Sequence, residues 1–189
     1  PRNMDDEQLL ALKANGGVIQ TVAFRSYLDG KKHAAWRSEY DALMTKIGAE
    51  MGIEVLADRR QVFMMKPMDR AKYLDRIQPV RARVEAMKGE LSAQPVDVAD
   101  FIDHVDYLVK KIGIDHVGMS SDFDGGGGVE GWNDADETFN VTLELVKRGY
   151  SEAEIEKLWG GNLLRVLEEV QAVAEAMRQE TTTDKAHST

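Results

Sequence analysis

The stretch IDHVGMSSDFDGGGG, residues 114 to 128, sets an apolar, β-branched run directly against two aspartates and four glycines. The run over 114–123 reads as a buried strand. Asp122 then falls at the end of that strand, where parallel α/β folds gather their ligands. Asp124 follows two residues later and, on an extended backbone, would point to the same side as Asp122. A carboxylate in that place can bind a metal, take a proton from water or hold a substrate ammonium. The glycines 125–128 let the backbone adopt positive φ and approach a ligand closely. The same residues also suit a flexible loop with Asp122 capping a turn, and spacing leaves both readings open.

The flanks supply the fold class. Upstream, PVDVADFIDHVDYLVKKIG, residues 95 to 113, is an amphipathic helix. Val98, Phe101, Ile102, Val105, Leu108 and Val109 recur at steps of three and four, and Gly113 ends it. Downstream, residues 134 to 149 read as a helix ending in glycine, and SEAE at 151–154 is a capping box for a short helix. NLLRVLEEVQAVAEAM, residues 162 to 177, is a last long helix, and 178–189 is expected to be a mobile tail. Near the other terminus, residues 5 to 17 form a helix stopped by Asn15, Gly16 and Gly17, and VIQTVAF at 18–24 reads as a second buried strand. Helix, glycine break and strand in that order imply an α/β protein with parallel strands.

Residues 29 to 95 read as helices with no convincing strand, an excursion inserted into the α/β pattern. Basic residues from Arg59 to Lys88 crowd it, but acidic residues are interleaved, as on a solvated helical face. The net charge of −9 argues against nucleic-acid binding, and no run of 18 apolar residues is present to span a membrane. There are no cysteines, which excludes disulfides and thiolate metal sites. An EF-hand is excluded because glycine interrupts the ligand series and Asn133 takes the twelfth place. A P-loop is excluded because Val129 and Glu130 follow the glycines where Lys and Ser or Thr are needed.

IDHVGMSSDFDG, followed by GYSEAEIEKLWGGNLLRVLEEV and preceded by RNMDDEQLLAL, resembles the C-terminal part of the membrane (renal) dipeptidase family of zinc peptidases. The resemblance runs from Arg2 to about Met177. It implies the C-terminal part of a (β/α)8 TIM-like barrel over 1–177, with a helical insertion at about 29–95. It implies hydrolysis of dipeptides with two zinc ions. Asp122 matches the aspartate assigned to proton handling and the substrate amine, Arg2 the arginine that binds the substrate carboxylate, and Tyr27 a tyrosine near the substrate. Asp124 and Gly125 complete the motif as structural residues.

The family's metal ligands, a His-x-Asp pair, a bridging glutamate and two later histidines, have no counterpart in this sequence. The zinc ligands are therefore expected upstream, and this chain alone is expected to be inactive. Its N-terminal residue is Pro1 rather than methionine. The expected partners are a dipeptide and the N-terminal part of the same protein, with a homo-oligomer possible. The expected molecule is soluble, with cytoplasm and periplasm both open. The alternative is a non-catalytic barrel of the same family that serves binding or assembly.

Overall fold

The structure is a computed structural model that describes residues 3–187, without the side chains of residue 59 and residues 180–187. The chain is mostly helical, with one small parallel sheet among the described residues. By backbone proximity the chain divides into two compact units, one of Pro1–Leu28 with Val96–Thr189, the other of Asp29–Pro95.

In the first unit, α1 (Asp6–Ala14) leads to β1 (Ile19–Val22) and the single turn α2 (Arg25–Leu28). Helix α6 (Val98–Ile112), strand β2 (Val117–Ser120), α7 (Thr138–Lys147), α8 (Glu152–Glu156) and α9 (Asn162–His187) follow after the second unit. β1 and β2 lie parallel, with Ile19 opposite Val117 and Val22 opposite Ser120. Both strands are shorter than the sequence suggests. Residues 114–116 form a 3₁₀ turn, and only Val117–Ser120 join the ladder. The backbone of α9 continues past residue 177.

Side chains that satisfy the first amides fix where helices begin. Asp5 and Gln8 form a capping box for α1, Asp97 and Asp100 for α6, and Ser151 and Glu154 for α8. α6 buries Phe101, Ile102, Val105 and Ile112 against Ala23, Val117, Val141 and Leu145. Each such side chain contributes about 1.5–3 kcal/mol on leaving water. Arg148, at the end of α7, ties that helix to α6. Its Nη1 donates to Asp103 and Asp106 at 2.6 Å each, and its Nη2 to the Ala99 carbonyl at 2.9 Å. The Tyr150 hydroxyl donates to Asp106 at 2.7 Å. Burial, then that carboxylate, push the phenol well above its ordinary pKa.

The GGNLLR segment braces the N-terminal end of the sheet. Lys157–Gly161 form a π turn that delivers Asn162, 2% exposed, beneath β2. Its Nδ2 donates to the Ile114 carbonyl at 2.6 Å and to the Val117 carbonyl at 2.8 Å. Arg165 Nη2 donates to the carbonyls of Gly16 and Asp115 at 3.1 and 3.0 Å. These contacts lie at the start of both strands, away from Asp122.

The second unit holds α3 (Gly30–Glu50), α4 (Arg59–Met64) and α5 (Pro67–Met87). Its regular elements are all helices, as its sequence suggests, and they enclose a small core of Met44, Ile47, Val80 and Val84.

Candidate functional site

The C-terminal ends of β1 and β2 open into two loops that clasp each other. Ala23 donates its amide to the Ser120 carbonyl at 2.9 Å, and Gly128 donates to the Ala23 carbonyl at 2.8 Å. Phe24 and Gly128 form an isolated parallel bridge. The residues that follow each strand, Phe24 to Tyr27 and Ser121 to Gly128, therefore share one end of the sheet.

Asp122 sits two residues beyond β2, half-buried. Its backbone is left-handed, with φ 54°, and Asp124 has φ 62°. The segment is thus not extended, which corrects the expectation that alternation along a strand aims both carboxylates the same way. The chain turns instead. The Asp122 carbonyl accepts from the amides of Gly125 and Gly127 at 3.1 and 3.0 Å. A β-carbon on Gly125 would collide with the Asp122 carboxylate, and one on Gly127 with the Ser121 carbonyl and Asp122 Cβ. These glycines are required because their backbone lies against Asp122 itself. Phe123, between the two aspartates, packs edge-on against buried Trp132 at 5.6 Å. Trp132 in turn contacts Phe101 of α6 at 5.3 Å. The Asp122 carboxylate accepts no hydrogen bond among the described residues.

Tyr27 lies at the same sheet end, one turn past β1, and stacks on Phe24 with ring centroids 4.5 Å apart. Arg2 lies outside the described residues, but its neighbour Asn3 is placed. Asn3 Nδ2 donates to the Tyr27 carbonyl at 3.0 Å. A cavity of about 730 Å³ is lined by Asn3, Tyr27, Asp103, His104 and the β1 residues Ile19 to Val22. It takes in Tyr27 and Asn3 but not Asp122. Thr21, 6% exposed, lines it, and its Oγ1 has no hydrogen-bond partner among the described residues. The cavity runs along β1 on its unpaired edge, since β1 pairs only with β2 among the described residues.

No three or more His, Asp and Glu side chains among the described residues stand close enough to share a metal ion. His104 Nε2 lies 2.9 Å from the Leu28 carbonyl, and His116 Nδ1 lies 2.8 Å from the Gly17 carbonyl. Both histidines are held by backbone. The donor set described for this chain does not fit a pair of zinc ions.

One feature of the site was not legible in the sequence. Arg25 follows β1 and its Nη2 donates to Asn133 Oδ1 at 2.5 Å, across 108 residues. No spacing rule connects two positions so far apart.

Residues 1–181 match the profile described as membrane dipeptidase (peptidase family M19). A dipeptidase of Claviceps purpurea, tcpJ, is 40% identical over 82 residues, which is 43% of this chain and 19% of that protein. Dipeptidase 3 of Homo sapiens is 36% identical over 84 residues, 43% of this chain and 17% of that protein. The crystal structure of the probable dipeptidase PvdM from Pseudomonas aeruginosa superposes with a TM-score of 0.56 at 35% identity. That match covers 90% of this chain and 41% of PvdM, so the chain spans less than half the length of the relatives it matches.

Proposed function

This chain belongs to the membrane dipeptidase family, and from that premise we propose that it is the C-terminal part of a dipeptide-hydrolysing (β/α)8 barrel. The edge of β1 left unpaired among the described residues, with the cavity beside it and buried Thr21 Oγ1, suits a further parallel strand from the rest of the protein. The two zinc ions of the family reading are held by residues outside this chain.

The observation that carries the proposal is the placement of Asp122. Its carboxylate stands just past a strand end, on a backbone braced by Gly125 and Gly127, and accepts no hydrogen bond among the described residues. Such a group is available to accept a proton or an ammonium. Asp122 holds the free amine of the dipeptide and carries a proton towards the departing nitrogen. Arg2 grips the terminal carboxylate, since a planar guanidinium matches a carboxylate in two parallel hydrogen bonds. Tyr27, whose carbonyl anchors Asn3, lines the place where that end of the substrate rests.

The roles separate experimentally in the parent protein. Arg2→Ala is expected to lower kcat/KM on a dipeptide by about 10- to 100-fold, the scale of a charge-assisted hydrogen bond. The same dipeptide amidated at its C-terminus is expected to lose less than about threefold, because Arg2 has no charge to read there. Equal losses on both would remove Arg2 from carboxylate binding. Absence of hydrolysis in the wild-type parent would favour the non-catalytic alternative.

A further inference from the structure

We propose that Arg25 is a positioning residue that locks the Asp122 loop to the end of β1, through Asn133 and Glu137. The inference rests on the role of Asp122 given above, and it adds the device that holds that residue in place.

The segment from Asp122 to Asn133 is fastened at both ends. At the near end, Gly125 and Gly127 close on the Asp122 carbonyl, and Gly128 donates to Ala23. At the far end, Asn133 is oriented by Glu137. Its backbone amide donates to Glu137 Oε2 at 2.6 Å, and its Nδ2 donates to the same oxygen at 3.3 Å. That leaves Asn133 Oδ1 turned to Arg25, which donates to it at 2.5 Å. Arg25 is the first residue of α2, three residues past the end of β1. Its guanidinium thus spans from one strand-end loop to the other. A left-handed aspartate costs about 1 kcal/mol or more in backbone strain and persists only where its surroundings over-determine it. Asp122, at φ 54°, is such a residue. Small displacements of a reacting group cost large factors in rate, about 100-fold for roughly 1 Å. Loosening the clasp should therefore lower turnover while leaving substrate affinity nearly intact.

The test uses the parent protein with Arg25→Met, Arg25→Lys, Asn133→Ala and the Arg25→Met/Asn133→Ala double variant. Arg25→Met and Asn133→Ala are each expected to lower kcat by about 10- to 100-fold with KM within about twofold. The double variant should lose no more than either single one, since both cut the same link. Arg25→Lys, which keeps a donor, should recover part of the loss. Amide exchange of Gly127 and Gly128 should quicken by about tenfold in both single variants, a readout that needs no activity. Losses that multiply in the double variant, a change confined to KM, or unaltered exchange in both single variants would overturn the proposal. If Arg25→Met does not fold, Asn133→Ala carries the same comparisons. Activity retained in Asp122→Asn would instead sink the role of Asp122, while the exchange measurement still reads the clasp.

Discussion

Asp122→Asn in the parent protein is expected to lower kcat by about 1,000-fold or more, while its unfolding free energy changes by less than about 1 kcal/mol. The two halves of that result have separate causes. A positioned general base or acid contributes about 100- to 10,000-fold, and an amide can neither accept the proton nor balance a substrate ammonium. Stability should survive because asparagine is among the few non-glycine residues that tolerate left-handed backbone. It therefore suits φ 54° as aspartate does. Its side chain is also close in size to that of aspartate, which matters where the Gly125 backbone lies against it. Asp122→Ala makes a poorer test, since alanine at that φ adds strain to the loss of charge. Steady-state rates with chemical unfolding of the same preparation decide the matter. Wild-type kcat in a folded Asp122→Asn variant would contradict the assignment.

Asn162→Leu should do the reverse. Asn162 is 2% exposed and donates to two backbone carbonyls, those of Ile114 and Val117. Leucine fills a similar volume but leaves those acceptors without the donor. A buried polar group stripped of its partner costs about 1–3 kcal/mol, so the expected loss is about 2–6 kcal/mol over the two. The site is at the opposite end of β2 from Asp122, so kcat of the folded fraction should stay within about twofold. Denaturant unfolding of the parent reads the first quantity, and active-site-normalised rates the second. A loss under about 0.5 kcal/mol would show that the GGNLLR segment does not brace the sheet.

Much of this was legible where local rules act on local residues. The capping box at Ser151, the apolar stripe of α6 and the helices within 29–95 follow from side chains within a few positions of one another, whereas the boxes at Asp5 and Asp97 emerged only in the structure. The strand end at Asp122 was legible too, because β-branched residues give way to turn-forming ones there. The shape of the site was not. Asp122 and Asp124 carry no mark of their left-handed backbone, which arises because Gly125 and Gly127 fold back on the Asp122 carbonyl. The Arg25–Asn133 link and the seat of Asn162 under β2 depend on parts of the chain that meet only after the sheet has formed. In the sequence the glycines suggest close approach to a ligand; in the structure Gly125 and Gly127 are needed for close packing against the aspartate itself.

The most direct measurement is a crystal structure of the parent protein with a non-hydrolysable dipeptide analogue bound. The expected result is the Asp122 carboxylate within about 3.5 Å of the analogue's amine or of the atom replacing the departing nitrogen, inside hydrogen-bond reach. An analogue seated elsewhere, with the Asp122 carboxylate turned away and bonded only to its own loop, would contradict the reading of this chain as the proton-handling end of a dipeptidase.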